Sequence, residues 1–280
     1  MQEHNILAPK IFSNDPIQLQ FEIINIVKQK KSRGLEVALY DYHDFSPEII
    51  YEIQKIETHK KMLHLWQKKV YLNGFLNNDD DIYKSFFYEN NYAKNELKIN
   101  KAIIHNNKAQ TPLPFDTNNI ENIKRYAHDC FSTLSYCYNK GLKLHIENIY
   151  ENLNFFEIFF NEIIKFNMNQ TVGFCLDTGH VRVFSQESLN QWLNLIHFLN
   201  SEKISIHYHI HLNDGHTDQH LSLSESNSLG LLEPISAWTP DGYLIWLKSA
   251  FATTPNAIFC QEHSALQAKE AFQFFDLLSS

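Results

Sequence analysis

Two stretches, LKLHIE at residues 142–147 and VGFCLDTGH at residues 172–180, decide the fold. Side chains alternate along a β-strand, so each stretch divides into two faces when its residues are counted in twos. One face is apolar throughout, whereas the other carries small or polar side chains and leads to Glu147 or Asp177. Strands of a parallel barrel show this division, because helices cover the outer face and the strand ends meet at one mouth.

Two further stretches follow the same pattern. ISIHYHIH at residues 204–211 ends on His211, and AIFCQE at residues 257–262 ends on Glu262. Counting back from His211 places His207 and His209 inside the barrel below its mouth. We interpret these two imidazoles as hydrogen-bonded packing groups or as support for residues above them. The four stretches together predict that acidic and imidazole side chains from distant parts of the chain meet at one place.

Strand-like and helical runs alternate along the chain, which is the pattern of repeated βα units. The predicted strands cover residues 6–12, 36–42, 69–75, 102–105, 142–147, 172–177, 204–211 and 257–262. The predicted helices lie near residues 17–31, 47–66, 82–97, 119–139, 154–166, 186–199, 243–252 and 265–278. We therefore predict an α/β fold in which residues 1–280 form one domain, a single (β/α)8 TIM barrel, which takes roughly 250 residues.

Composition excludes several classes of protein. Hydrophobic residues make up 44% of the chain and charged residues 20%, which excludes a disordered or fibrous protein. The net charge of −8 gives no broad attraction to a polyanion, so nucleic acid is disfavoured as a partner. The chain shows neither a secretory signal nor an apolar run of about 18 residues, so we predict a cytoplasmic protein without a membrane partner. The four cysteines lack CxxC spacing, and we interpret them as buried thiols.

The strand ends predict a metal site. Glu147, Asp177 and Glu262 would repel one another at one mouth unless a cation lay between them. Together with His211 they form a mixed oxygen and imidazole set, which suits Mn²⁺, Mg²⁺, Co²⁺ or Zn²⁺ better than Ca²⁺ or a soft metal. Any one of them alone would be an ordinary polar strand end. Their recurrence at four strand ends favours a shared divalent ion.

The segment HYHIHLNDGHTDQH, residues 207–220, offers further candidate ligands. Asp218 and His220 follow a turn-rich stretch and could hold a second metal ion together with His180. A loop whose polar side chains face water is the alternative interpretation. His105, at the end of the fourth predicted strand, is either another ligand or a group bonded to its own loop.

The motif DTGH, residues 177–180, lies directly after a predicted strand. We expect Gly179 to allow a sharp turn there, so that Asp177 and His180 can address one site. Arg182 follows two residues later. Its guanidinium either binds a phosphate or carboxylate of a substrate or forms an ion pair on its own helix.

The segments LHIENIYE, CLDTGH, HIHLNDGHTDQHL and CQEHS resemble the motifs of the xylose isomerase-like barrels. This superfamily includes sugar and sugar phosphate isomerases and epimerases, and the endonuclease IV type of apurinic nuclease. The resemblance covers residues 100–265 and extends to the first hundred only as an alternation of strands and helices. In the isomerases it implies that one metal is held by four residues and that His180 contacts the substrate. Those four ligands would be Glu147, Asp177, His211 and Glu262, and the two glutamates would move a proton through an enediolate.

The nuclease branch implies a larger ligand set for a zinc cluster that attacks a phosphodiester. In this sequence the additional ligands would be His105, His180, Asp218 and His220. Asn73 stands where that branch has a histidine, VALYDY at residues 37–42 lacks the glutamate often seen in the isomerases, and SLSESN after His220 departs from the usual glycine-flanked acidic turn.

We therefore predict a metal-dependent isomerase or epimerase that acts on a small sugar, sugar phosphate or polyol. The expected partner is a small carbohydrate, and a homo-oligomer stays open. A zinc-dependent phosphoesterase of the endonuclease IV type is the alternative. A third hypothesis is a degenerate barrel retained as a binding module.

Overall fold

The structure, a computed structural model, describes residues 5–41, 43–77, 79–108, 111–222 and 240–262. Parallel strands close into a barrel in sequence order, and the first strand pairs with the eighth. The predicted α/β fold, a (β/α)8 TIM barrel, is confirmed. The strands are β1 Ile6–Phe12, β2 Leu35–Ala38, β3 Lys61–His64, β4 Lys101–His105, β5 Lys143–Glu147, β6 Val172–Asp177, β7 Ser205–Ile210 and β8 Ile258–Gln261.

The described helices lie outside this barrel, and several begin at a side chain that caps the first turn. Ser188, for example, forms a capping box with Gln191 and satisfies main-chain N–H groups that have no partner inside the helix. The helices are α1 Ile17–Lys28, α2 Pro47–Gln54, α3 Leu72–Leu76, α4 Asp80–Asn91, α5 Ile120–Asn139, α6 Leu153–Lys165, α7 Thr178–Phe184, α8 Leu189–Ser201 and α9 Pro240–Thr253. None of them is long and apolar enough to span a bilayer.

The core is divided between the two faces of the barrel as the alternation predicts. Outside, the Phe174 ring of β6 packs on Phe156 of α6 and on Trp192 of α8, with centroids 5.0 and 6.3 Å away. Inside, a small apolar cluster contains Ala8 and Cys175. All four cysteines are buried free thiols, as predicted. Buried polar side chains lie both beside this cluster, where His145 and His207 pair in register with Ile103 and Ile258, and above it toward the mouth.

The predicted third strand is wrong. Residues 69–75 contain the short helix α3, and the strand is Lys61–His64, inside the stretch predicted as a helix over residues 47–66. α2 ends at Gln54. The run KMLH is too short to show a period, and its charged residue is buried: the Lys61 ammonium donates to the carbonyls of Ile53 and Leu97 at 3.3 and 2.8 Å.

Smaller differences concern element ends. β2 ends at Ala38, four residues before the predicted end, and α7 is a separate short helix that the sequence reasoning does not predict. The predicted helix over residues 265–278 lies outside the described residues. That the whole of residues 1–280 forms one domain stays a prediction.

Candidate metal centre

Five of the predicted site residues lie at one mouth of the barrel, at the carboxyl ends of five consecutive strands. They are all buried, with exposed fractions between 0 and 8%. The strand register sets two of them side by side, since His105 on β4 pairs with Glu147 on β5. These residues are His105, Glu147, Asp177, His211 and Glu262.

The four predicted primary ligands converge. His211 Nε2 lies 2.9 Å from the Asp177 carboxylate. Glu147 and Glu262 approach the same atom, Nδ1 of His209, at 3.2 and 3.0 Å. Asp177 reaches that nitrogen at 3.6 Å. Parts of the chain separated by more than 100 residues therefore present their oxygen and nitrogen atoms to one small volume.

The predicted additional ligands join the same cluster. His105 Nε2 lies 3.1 Å from Glu147 Oε2. Asp218 lies between two imidazoles, with its Oδ2 atom 3.2 Å from His180 Nε2 and 3.1 Å from His220 Nε2. The His220 ring stacks on His211 with centroids 4.2 Å apart. The loop after β7 thus turns back over the mouth, and Asp218 is not simply a solvated loop residue.

Sequence reasoning missed His64, which it left unassigned. This residue ends β3, and its Nε2 atom lies 3.4 Å from Glu147 and 3.9 Å from Glu262. Asn73, considered as the histidine-equivalent position, lies instead on α3, where its amide donates to Asn107 Oδ1 at 3.3 Å. The misplaced third strand caused this error, since a strand at residues 69–75 would leave His64 in a helix.

Beneath the mouth lies a second polar layer that sequence reasoning only partly predicts. Glu36 on β2 accepts from Nε2 of both His207 and His209, at 2.9 and 3.1 Å. Lys10 on β1 forms ion pairs with Glu36, at 3.3 Å, and with Glu262. The predicted inward direction of the two histidines is confirmed. Lys10 and Glu36 were missed, although Lys10 shares its face with Ile6 and Ala8, the inner side of β1.

The cations of this cluster keep its carboxylates ionised. Burial alone would raise the pKa of Glu147, but the imidazoles of His209 and His105 lower it well below its usual range. Burial also opposes the charge of Glu262, whose pKa His209 and Lys10 lower well below its usual range. Both carboxylates can therefore act as ligands or proton acceptors at neutral pH.

The pKa values of the two imidazoles beside Asp218 are raised by the carboxylates around them. Burial would lower the pKa of His180, yet the carboxylates of Asp177 and Asp218 raise it to about 10. Burial is likewise outweighed at His220, where Glu262 and Asp218 raise the pKa to about 9. These two rings therefore carry positive charge at neutral pH, and both N–H groups of each already have acceptors. His180 donates to the Asn148 carbonyl and to Asp218, and His220 donates to the Glu262 carbonyl and to Asp218. To bind a metal, either ring would have to release a proton.

The donor set fits a divalent metal. Among the described residues none forms a hydrogen bond to Glu147 Oε2 or Glu262 Oε2, although imidazole nitrogens lie 3.1 and 3.0 Å from them. The buried Nδ1 of His211 also has no hydrogen-bond partner there. Buried polar atoms that approach one another without bonding are typical of ligands that converge on a third atom. Carboxylate oxygens and imidazole nitrogens in this mixture are ligands for zinc, manganese or cobalt.

Gly179 has a different role from the predicted turn. It lies in α7, and a Cβ atom at this position would come 2.0 Å from Cε1 of the His211 ring. The glycine is therefore needed because the imidazole packs directly on its backbone. Arg182 lies on the same helix, with its Nε atom 3.4 Å from where a Cβ on Gly215 would stand. Its predicted substrate contact stays a prediction.

A cavity of about 450 Å³ opens next to the cluster. Aromatic rings form part of its wall, with Tyr40 and Trp66 in edge-to-face contact at 4.9 Å. The cavity therefore joins an apolar wall to charged groups at its base. Its lining consists of Lys10, Phe12, Ala38, Tyr40, His64, Leu65, Trp66, Gln67, Lys68, His220 and Glu262.

Comparison with known proteins supports the fold assignment. No family model and no curated protein matches the sequence. Among solved structures, the TTHB071 protein of Thermus thermophilus, from crystals soaked with ZnCl2, is 18% identical with a TM-score of 0.62, and 97% of each chain is covered. A D-tagatose 3-epimerase-like protein is 16% identical with a TM-score of 0.60, covering 97% of this chain and 98% of its own.

A third structure, the IolI protein with a bound zinc atom, is also 16% identical, with a TM-score of 0.59 and coverage of 98% and 96%. A xylose isomerase domain protein from Planctomyces limnophilus matches over 99% of this chain with a TM-score of 0.54. The chain therefore has the fold of the xylose isomerase-like TIM barrels, as its motifs indicate.

Proposed function

We propose that the protein is a metal-dependent isomerase or epimerase of a small sugar, sugar phosphate or polyol. One observation carries the proposal: two ionised carboxylates, Glu147 and Glu262, approach the same atom, Nδ1 of His209, at 3.2 and 3.0 Å, and Glu262 lines a cavity of about 450 Å³. Moving a hydrogen between neighbouring carbons, or inverting one carbon, requires proton acceptors close to the reacting carbon, and two neighbouring carboxylates beside a cavity can supply them.

The proposed metal ligands are Glu147, Asp177, His211 and Glu262. A divalent ion held there would act as a Lewis acid toward oxygen atoms of the substrate. His105, His180, Asp218 and His220 are proposed additional ligands or substrate contacts.

The protein's own residues supply the proton transfer. A carboxylate takes the proton from a carbon next to a carbonyl group, and the electron pair of that C–H bond forms the enediolate. The same or the opposite carboxylate returns the proton, so the product contains the same atoms as the substrate. Lys10 holds Glu262 from below, and His64 and His105 lie beside Glu147, so both carboxylates are fixed in position. The aromatic wall would carry the apolar side of the substrate.

Two of the similar structures support this substrate class by their descriptions. One is described as D-tagatose 3-epimerase-like and another as L-ribulose 3-epimerase, the latter 12% identical with a TM-score of 0.53. At this identity they support the choice of chemistry to be tested and leave the sugar to experiment.

The test is exchange of solvent deuterium into candidate sugars and sugar phosphates, followed by NMR, because exchange reports proton transfer whichever product forms. We expect Glu147→Gln and Glu262→Gln to lose at least about 100-fold in rate, as removal of a general acid or base does. Glu157→Gln on the exposed face of α6 is the matched control and should keep full activity. Unchanged exchange in either of the first two variants, with the fold intact by circular dichroism, would contradict the proposal.

A second candidate function is hydrolysis of a phosphate ester. It is favoured by the number of converging side chains. In addition to the four proposed ligands, His64, His105 and Asp218 with its two neighbouring imidazoles offer more ligand atoms than one ion can bind. Metal analysis separates the two functions: one exchangeable ion favours isomerisation, whereas two or three tightly bound zinc ions together with cleavage of an aryl phosphodiester favour hydrolysis. No metal binding at all would favour the degenerate barrel.

A further inference from the structure

His209 lies at the centre of the mouth, although it is not one of the strand-end residues. It is fully buried on β7, two residues before His211. Its Nδ1 atom contacts Glu262 at 3.0 Å and Asp177 at 3.6 Å, and it forms a hydrogen bond of 3.2 Å with Glu147 Oε1. These are the three carboxylates of the proposed metal site, so this nitrogen faces the position that the ion would take.

The distances from Nδ1 to the three carboxylates indicate whether this atom could bind the same ion as they do. Ligand atoms that each lie about 2.0–2.2 Å from one zinc ion are roughly 3–3.5 Å from one another. An atom that took the place of the ion would lie about 2 Å from every carboxylate. The distances of 3.0 to 3.6 Å match those between neighbouring ligands of one ion, although hydrogen bonds and ion pairs, such as the one to Glu147, have similar lengths. The contact with Glu262 Oε2 also lacks hydrogen-bond geometry, as that oxygen has no hydrogen-bond partner among the described residues.

The opposite nitrogen of the ring is fixed. His209 Nε2 lies 3.1 Å from Glu36 Oε2, and Glu36 itself accepts from His207 and pairs with Lys10. A carboxylate that binds one imidazole nitrogen holds the proton there and orients the other nitrogen toward a metal, which is the usual arrangement around histidine ligands. In His209 that other nitrogen forms a hydrogen bond with Glu147 Oε1, which a bound ion would replace. Glu36, His207 and Lys10 are all buried, so this support is rigid.

We propose that His209 is a metal ligand through Nδ1, supported by Glu36 from the barrel interior. The inference rests on the proposed metal centre and adds a nitrogen ligand from its floor. The four strand-end residues then form only part of the coordination shell. The competing interpretation is a protonated ring that only neutralises the surrounding carboxylates.

The experiment compares zinc affinity, measured by chelator competition on metal-free protein, in three variants. His209→Gln keeps an amide that can reach Glu36 but places no atom at Nδ1. His209→Asn places an amide atom near Nδ1 but cannot reach Glu36. His207→Gln is the matched control, because His207 shares the strand, the burial and the Glu36 contact without touching the mouth carboxylates.

We expect His209→Gln to lose at least about 100-fold in zinc affinity, the upper end of what substitutions outside the ligand shell cost. His209→Asn should lose less, and His207→Gln should stay within about threefold of wild type. An affinity of His209→Gln equal to that of His207→Gln, or higher than wild type as a competing cation predicts, would overturn the inference and leave the metal centre standing. Wild-type protein that binds no metal would overturn the metal centre itself.

Cobalt absorption gives a readout that does not depend on His209→Gln folding. A changed ligand shell shifts the visible bands of bound Co²⁺. We expect His209→Asn to bind Co²⁺ with shifted bands, whereas His207→Gln should show the wild-type spectrum. Identical spectra for wild type and His209→Asn would overturn the inference.

Discussion

At the scale of single residues, Glu89 shows how burial determines the protonation state of a carboxyl group that lies away from the mouth. This glutamate on α4 is fully buried, and its carboxyl accepts from the main-chain N–H of Trp66 at 3.0 Å. Desolvation raises the pKa of Glu89 to about 8, against the smaller opposing effect of that hydrogen bond. The carboxyl is therefore mostly neutral at pH 7 in the folded protein and ionised in the unfolded chain.

This difference predicts a pH-dependent stability. Between its ordinary value near 4.5 and about 8, the folded state binds a proton at Glu89 that the unfolded state has released. The contribution is complete below pH 4.5 and is lost as the pH rises through 8, at up to about 1.4 kcal/mol per pH unit. Urea unfolding of metal-free protein between pH 5.5 and 8.5 should show this slope, and Glu89→Gln should flatten it. Parallel curves for both proteins would contradict the assigned pKa.

Gly179 gives a second prediction at this scale. A methyl group there would collide with the His211 ring, so Gly179→Ala should displace the imidazole and lower metal affinity by at least about tenfold. Gly173→Ala is the control, since its methyl would come 2.2 Å from the ring of His145, which lies below the mouth. That variant should lose stability but keep its metal affinity. A stable Gly179→Ala protein with wild-type zinc binding would show that His211 is not a ligand.

At the scale of elements, the connection after β3 forms one wall of the cavity. Trp66 lines it and contacts Tyr40, which follows β2. Aromatic contacts of this kind contribute about 0.5–1.5 kcal/mol. Trp66→Ala should therefore raise KM for the substrate found by deuterium exchange about three- to tenfold and leave kcat nearly unchanged. Phe198→Ala on α8, at a different surface cavity, should change neither value. A fall in kcat alone would place Trp66 outside the binding wall.

The strand β3 shows which elements could not be predicted from the sequence. The strands that end near Glu147, Asp177 and His211 could be predicted because their runs are long enough to show alternation, and alternation fixes which side chains reach the mouth. β3 has four residues and carries the buried charge of Lys61, whose partners are main-chain carbonyls on other elements. Such long-range partners leave no local pattern, so His64 was missed together with its strand.

The pairing of β1 with β2 explains why the polar layer below the mouth was not fully predicted. Lys10 and Glu36 are neighbours because β1 pairs with β2 at these residues. A lysine and a glutamate in predicted strands are usually exposed, and only the pairing of the two strands shows that each neutralises the other inside the barrel. Counting in twos from Ala8 would have placed Lys10 on the inner face.

At the scale of the whole molecule, the barrel concentrates carboxylates around its axis. Glu36, Glu147, Asp177 and Glu262 are at most 8% exposed, and each costs free energy to desolvate. Lys10 offsets part of this cost through its ion pairs with Glu36 and Glu262. A divalent ion would offset more of it, because it binds the folded barrel and has no preformed site in the unfolded chain.

Metal binding should therefore raise the unfolding temperature. At a free zinc concentration of 100 times Kd, the folded state gains about 2.7 kcal/mol, which shifts Tm by roughly 5–10 °C for a chain of this size. Calcium is the control at equal concentration, because a site that mixes imidazole with carboxylate suits it poorly. If Glu147, Asp177, His211 and Glu262 hold one ion, as proposed, Asp177→Asn should abolish most of the zinc shift while Glu157→Gln keeps it. Equal shifts with calcium and zinc would indicate general screening of negative charge, and the carboxylates would then require no coordinated ion at the mouth.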